Sequence, residues 1–153
     1  GGFLPFSVTV CQEKIYQAFL GDDFASALVH GHTYTGNPLS CAAALASLDI
    51  LKRPATLVQR QMIEAVHQTG LAYLTEKAHI QQARYCGTVA AFNLSQQTHY
   101  GSDFSLALRD RFYKRGLLIR PLGNVVYFIP PYCISKDDLE RTYTIVAEEL
   151  QGA

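Results

Sequence analysis

At 153 residues, the chain is long enough to bury one hydrophobic core or two small ones. Its 13 Lys and Arg residues balance its 13 Asp and Glu residues, so the composition argues against binding to nucleic acid or to an anionic membrane. The sequence shows no secretory leader and no apolar run of the roughly 20 residues that a membrane helix needs, and we therefore expect a cytoplasmic protein.

The first third of the chain contains two predicted helices after a predicted strand. Residues 3–10 are mostly apolar and predict the strand, and helical periodicity over residues 12–20 predicts a short helix. A second helix is predicted to begin at Pro38, with Asn37 as its cap. It carries apolar residues on nearly every side, which predicts a buried helix, and Pro54 ends it.

The remaining residues alternate between short helices and strands. The predicted helices lie at 55–78, at 102–115 and from Ser135 onward, and the predicted strands lie at 83–86, 88–94, 117–119 and 125–129. Ser135 and Asp138 are spaced as in a capping box, and Gly116 is placed to end the middle helix. The order predicts an α+β domain over residues 54–153, whereas residues 1–53 have the pattern of the tail of an α/β domain.

The four cysteines are widely separated and form no CxxC pair; they are Cys11, Cys41, Cys86 and Cys133. This spacing predicts neither a disulfide framework nor a zinc site. It favours small buried side chains with reduced thiols, as in a cytosolic protein.

Two positions are candidates for binding an anion. The loop before Pro38 carries the hydroxyls of Thr33 and Thr35, and the first-turn amides of the following helix could hold a phosphate, although a capped helix after a polar loop is the simpler interpretation. Arg120 lies on a stiff turn, where a guanidinium can grip a carboxylate or form an ordinary surface salt bridge. The pair His30 and His32 is only a weak signal for a metal site.

Residues 30–45, HGHTYTGNPLSCAAAL, resemble the HGxTYxGNPLxCAAAL segment of the class III pyridoxal-phosphate-dependent aminotransferases. Residues 120–132, RPLGNVVYFIPPY, resemble more narrowly the members of that family that act in biotin synthesis, and residues 1–5, GGFLP, resemble a further segment of those enzymes. The resemblance implies the C-terminal part of the type I aminotransferase fold, with the end of the large domain in residues 1–53 and the complete small domain in residues 54–153.

The resemblance also implies roles for individual residues. His32, through its backbone, and Thr33 would bind the phosphate of a pyridoxal phosphate held mainly by the neighbouring subunit of a homodimer. Gly31 would approach the substrate, Arg120 would bind the substrate carboxylate and Tyr127 would line the substrate site. The implied reaction is transamination of 8-amino-7-oxononanoate to 7,8-diaminononanoate, with S-adenosylmethionine as the amino donor.

One element of the family pattern is missing. The lysine that forms a Schiff base with the cofactor precedes the Gly-Gly pair in these enzymes, so the resemblance implies a catalytic lysine upstream of Gly1 and an inactive 153-residue chain. Two other interpretations stay open: another class III ω-aminotransferase, of the ornithine or 4-aminobutyrate type, and a non-catalytic α+β interaction domain.

Overall fold

The computed structural model describes residues 2–151 and divides the chain into two units, Gly1–Arg53 and Pro54–Ala153. The division falls where Pro54 begins the longest helix. Because proline has no N–H to donate within a helix, one helix ends at Leu51, with Lys52 as its C-cap, and the next begins at Pro54.

The first unit consists of α1 (Glu13–Gln17), a 3₁₀ turn (Phe24–Ser26) and α2 (Pro38–Leu51). None of its described residues is buried, so the prediction that α2 is buried is wrong for this chain. The helix has apolar residues on every side, but the described part of this unit supplies no layer for them to pack against.

The predicted strand at 3–10 is also wrong. In the described structure Phe3 and Leu4 form a bend, residues 5–10 have no regular secondary structure, and none of them pairs with another segment. A strand is stabilised by its ladder of hydrogen bonds to a neighbour, which an apolar run alone cannot provide.

The second unit contains a three-stranded antiparallel sheet packed against helices. Its elements are α3 (Pro54–Ala78), β1 (Gln81–Cys86), β2 (Val89–Asn93), α4 (Asp103–Lys114), β3 (Val125–Phe128) and α5 (Lys136–Gln151), and the strand order is β1-β2-β3. Alternate residues of β2 and β3 are buried, and this face packs on the core that also includes Leu74 of α3 and Leu139 of α5.

The predicted strand at 117–119 is absent from the described sheet because these residues close helix α4 instead. Gly116 has a φ of +81°, and its amide donates to the Tyr113 carbonyl oxygen at 3.0 Å. The Leu117 amide donates to the Phe112 carbonyl oxygen at 2.9 Å, which completes a Schellman motif. The predicted end of the helix at Gly116 is thus confirmed.

A polar pair lies inside the core of the second unit. The side chain of His67 on α3 is fully buried, its Nδ1 lies 2.8 Å from the Tyr143 hydroxyl, and its Nε2 lies 3.0 Å from the Thr88 carbonyl oxygen. Since a carbonyl oxygen only accepts, Nε2 carries the proton and Nδ1 accepts from Tyr143. Burial lowers the pKa of His67, so the neutral ring links α3, α5 and the β1–β2 turn.

The cysteines differ from the prediction in one respect. All four thiols are free, but Cys11, Cys86 and Cys133 are exposed and Cys41 is only partly buried, so the predicted burial is wrong. The three exposed cysteines lie in an irregular segment, at a strand end and in a turn, which leave side chains in contact with water. Among residues 2–151, no helix combines the length and the apolarity that crossing a membrane requires.

Candidate active site

The loop at 30–37 is built from consecutive turns. The Thr35 amide donates to the His32 carbonyl oxygen at 2.9 Å, and the Asn37 amide donates to the Tyr34 carbonyl oxygen at 3.1 Å. Gly36 has a φ of +69°, a conformation that glycine adopts without strain. These turns direct the chain into α2.

The first turn of α2 is fully engaged by its cap. The side-chain oxygen of Asn37 accepts from the amides of Leu39 and Ser40 at 3.0 and 3.2 Å, and its carbonyl oxygen accepts from the Cys41 amide at 3.0 Å. The predicted cap is therefore confirmed. Because Pro38 has no N–H, these first-turn amides have no donor to spare for an anion, and any anion-binding donors must lie in the preceding loop.

The free donors of the loop are centred on Thr33. In the described part of the chain, the Thr33 hydroxyl and the backbone amides of Thr33 and Tyr34 make no hydrogen bond, and these residues are exposed. A Cβ at Gly31 would meet no atom within 4 Å, so the backbone there is open to close approach. A hydroxyl and two adjacent amides on one turn fit the oxygens of a phosphate group.

Arg120 is exposed between two buried residues, Ile119 and Pro121. Within residues 2–151 its guanidinium forms no hydrogen bond and no ion pair, so the described residues supply no partner for a surface salt bridge. The flanking residues anchor the backbone while the cation extends into solvent. An unpaired guanidinium on an anchored backbone is suited to a bidentate bond with a carboxylate.

The turn after Arg120 is tight. The amide of Leu122 donates to the Val125 carbonyl oxygen at 2.8 Å, and the Val125 amide donates back to Leu122 at 3.1 Å. Gly123 takes the first central position with a φ of +61°, the value of a type II′ hairpin turn. The Leu94 amide donates to the carbonyl oxygen of Asn124 at 2.8 Å, which ties the turn to the end of β2.

Tyr127 lies on β3 directly opposite Ala91 and is partly exposed. Its neighbours along the strand, Val126 and Phe128, are buried, so Tyr127 is on the sheet face away from the core. It lines a groove together with residues 117–119 and 129–131. Arg120 and Tyr127 thus belong to the second unit, whereas Gly31, His32 and Thr33 belong to the first.

Residues 1–150 match the family described as Aminotransferase class-III. The chain belongs to the class III aminotransferases. Enzymes of this family use pyridoxal phosphate, and the free donors around Thr33 fit its phosphate group. When bound, this cofactor serves as an electron sink that stabilises carbanion character in the substrate.

Several relatives share the same name, and each of them matches most of the chain. The adenosylmethionine-8-amino-7-oxononanoate aminotransferase of Synechococcus elongatus is 42% identical over 151 residues, which are 98% of this chain and 35% of that protein. The Helicobacter pylori protein of the same name is 34% identical over 155 residues, with the same coverage of 98% and 35%. The chain therefore spans about a third of the length of these curated class III aminotransferases.

Solved structures agree with the family assignment. The crystal structure of the Methanocaldococcus jannaschii adenosylmethionine-8-amino-7-oxononanoate aminotransferase has a TM-score of 0.79 and 30% identity, and the match covers 92% of this chain and 34% of that one. An amine transaminase from an uncultivated Pseudomonas species, in its PLP-bound form, also has a TM-score of 0.79, with 26% identity and coverage of 92% and 33%. The predicted fold, part of a class III aminotransferase, is confirmed.

The structure also shows a contact near Arg120 that the sequence pattern did not indicate. The carbonyl oxygen of Gly123 accepts a hydrogen bond from the hydroxyl of Ser105 on α4 at 3.1 Å. The two residues are separated by 18 positions, and a serine near a helix start is ordinarily explained by capping. Only the tertiary arrangement could identify this contact.

Proposed function

We propose that this chain is part of an enzyme that transfers an amino group from S-adenosylmethionine to 8-amino-7-oxononanoate, giving 7,8-diaminononanoate in biotin synthesis. The observation that carries the proposal is Arg120, an unpaired guanidinium on an anchored backbone within the segment RPLGNVVYFIPPY. The names of two relatives, at 42% and 34% identity, support the choice of substrate.

Each candidate residue has a proposed task. Thr33, with the backbone at His32, would hold the phosphate of pyridoxal phosphate, because its hydroxyl and amide are free to donate. Gly31 would allow the substrate to approach the backbone. Arg120 would orient the substrate by its carboxylate, and Tyr127 would line the substrate site from the open face of the sheet.

The proposal includes a homodimer and a cytoplasmic location. The first unit exposes large apolar side chains, among them Phe3 at 92% and Phe24 at 80%. Such surface is usually covered in an assembled protein, which supports a cofactor site shared between subunits. The balanced charge and the small polar substrates are consistent with a cytoplasmic enzyme.

We expect the 153-residue polypeptide by itself to be inactive. None of its five lysines, Lys14, Lys52, Lys77, Lys114 and Lys136, lies at the position of the family's cofactor lysine. Amino transfer by the purified polypeptide, without any added segment, would contradict this expectation.

The decisive experiment replaces the matching segment of the Synechococcus elongatus relative with residues 1–150 of this chain. We expect the resulting hybrid enzyme to aminate 8-amino-7-oxononanoate, and we expect Arg120→Ala to raise KM for this substrate by about 100-fold, since a charge-assisted bidentate bond contributes roughly 1.5–3 kcal/mol. Arg109→Ala, at an exposed arginine paired with Asp110 on α4, is the matched control and should leave KM unchanged. A hybrid that folds but does not aminate 8-amino-7-oxononanoate would contradict the proposal.

One finding supports a second candidate function, that of another ω-aminotransferase. The structure of the Elizabethkingia anophelis acetylornithine aminotransferase matches with a TM-score of 0.70 and 26% identity, so the fold does not separate these substrates. A panel of amine donors and keto acceptors on the hybrid enzyme does separate them. The remaining interpretation, a non-catalytic interaction domain, loses its basis because the chain belongs to an enzyme family.

A further inference from the structure

A chain of hydroxyl groups ties the turn after Arg120 to the loop that precedes α4. Thr98 Oγ1 donates to Ser102 Oγ at 2.6 Å, Ser102 Oγ and Ser105 Oγ are 2.9 Å apart, and Ser105 Oγ donates to the Gly123 carbonyl oxygen at 3.1 Å. The Ser105 hydroxyl also lies 3.4 Å from the His99 carbonyl oxygen, so its one proton is directed to two carbonyl oxygens, of which that of Gly123 is the closer. Because a carbonyl oxygen only accepts, Ser102 donates to Ser105. The hydroxyls therefore donate in one direction, an arrangement in which each bond strengthens the next.

The end of this chain is shielded from water. Ser105 is only 3% exposed and Gly123 is buried, so the carbonyl oxygen of Gly123 cannot exchange its protein partner for solvent. A Cβ at Gly123 would lie 2.7 Å from the Thr98 carbonyl oxygen, which shows that the loop backbone packs directly on the turn. Loss of the Ser105 hydroxyl would leave a buried acceptor unsatisfied next to a tightly packed backbone.

The position of the Arg120 guanidinium depends on this turn. Within the described residues the guanidinium makes no hydrogen bond or ion pair of its own, so the backbone on either side determines the point from which the side chain extends. On one side Ile119 is buried; on the other, Pro121 leads at once into the turn whose Gly123 carbonyl oxygen binds Ser105. An error of about 1 Å in such a positioning group can cost a large factor in substrate binding or rate.

We propose that Ser105 is a positioning residue for Arg120: by fixing the Gly123 carbonyl oxygen, it holds the turn in the geometry that presents the guanidinium to a substrate carboxylate. This inference rests on the proposed role of Arg120 and adds a residue that never touches the substrate. A positioning role predicts a selective effect of Ser105. The residue should affect the binding of the substrate carboxylate and leave unchanged the reaction steps in which Arg120 takes no part.

The first test measures amide hydrogen exchange in the complete 153-residue chain. Ser105→Ala should raise the exchange rates of the Leu122 and Val125 amides about tenfold, because the turn that protects them loses its anchor. Ser95→Ala, at an exposed serine that precedes the same hydroxyl chain, is the control and should change neither rate. Unchanged exchange of both amides in Ser105→Ala would overturn the inference.

The second test uses the hybrid enzyme. Ser105→Ala should raise KM for 8-amino-7-oxononanoate about tenfold and leave kcat within about twofold, whereas KM for the methyl ester of that substrate, which lacks the carboxylate, should not change. A fall in kcat with KM unchanged, or an equal rise in KM for acid and ester, would indicate a merely structural serine and overturn the inference.

The outcomes for Arg120 and Ser105 separate the two proposals. If Arg120→Ala leaves KM for the acid unchanged, the proposed function of Arg120 is wrong. If Arg120→Ala raises KM and Ser105→Ala does not, the function stands and the positioning role is wrong. Should Ser105→Ala fail to fold, Thr98→Val, which removes the first hydroxyl and keeps the bond to Gly123, should still raise KM about threefold, and no rise would overturn the inference.

Discussion

In the first unit no described residue is buried, whereas in the second unit the side chains of Phe92, Phe112 and Val126 are completely buried. Yet both units start a helix in the same way. Asn37 caps α2 and Ser102 caps α4, each by accepting from amides of the first turn. Capping therefore determines where a helix begins, while burial depends on whether other elements supply a second layer.

The largest expected effect comes from the core of the second unit. Phe92→Ala should lower its free energy of unfolding by about 3–5 kcal/mol, since a fully buried phenyl ring is replaced by a cavity. Phe24 lies in the first unit and its ring is 80% exposed, so Phe24→Ala should change the free energy of unfolding by less than about 0.5 kcal/mol. Urea unfolding followed by circular dichroism measures both, and equal effects would refute the contrast between the units.

A glycine within α3 gives the next largest effect. In an ordinary helix, Gly70→Ala would be stabilising, but here the added Cβ would lie 2.5 Å from the Tyr143 ring. We expect a loss of about 1–3 kcal/mol in the free energy of unfolding. Gln68→Ala, at an exposed position of the same helix, is the control. A stabilising Gly70→Ala would show that α3 and α5 are not packed this closely.

The buried histidine predicts that the stability of the second unit depends on pH. Burial depresses the pKa of His67 below its ordinary value of 6.5, so the unfolded chain takes up the proton first as the pH falls. The free energy of unfolding should therefore be constant above pH 6.5 with respect to this group, and should decrease from there down to the folded-state pKa.

His67→Gln should remove this component when urea unfolding is repeated across that pH range. His99→Gln, at an exposed histidine of the same unit, should retain it. If both variants kept the same pH profile as the unaltered chain, the neutral His67–Tyr143 pair would not be the source of the effect.

The smallest effect is expected in the first unit. Asn37→Ala should cost α2 about 1 kcal/mol, because the amides of Leu39 and Ser40 lose their acceptor. Hydrogen exchange at these amides should rise about fivefold, whereas Ser47→Ala, at an exposed position within the helix, should leave them unchanged. Equal protection in both variants would show that the cap is not needed.

The sequence predicted features whose causes are local. Asn37, Pro38 and Gly116 act on the helices that they begin or end, and the structure confirms them. The prediction of a strand at 3–10 was wrong because a strand needs a neighbouring strand to pair with. The prediction of a strand at 117–119 was wrong because this segment begins with the residue that completes the C-terminal cap of α4.

The candidate site likewise combines residues that the sequence predicts with a residue that it does not predict. Thr33 and Arg120 were found from short motifs, and their roles remain proposals. Whether Arg120 has a salt-bridge partner depends on residues distant along the chain, and residues 2–151 supply none. Ser105 was not found at all, because its contact joins two segments that are distant along the chain and follows no periodicity.

Arg120 is exposed between two buried neighbours, so the packing of this turn does not depend on the arginine side chain. Ile119 and Pro121 provide the packing at this turn, and the arginine side chain adds no hydrogen bond or ion pair within residues 2–151. Position 120 can therefore accept a neutral or an acidic side chain with little effect on folding. If Arg120 has the proposed role, a single codon change at this position alters the preferred acceptor while leaving the scaffold intact.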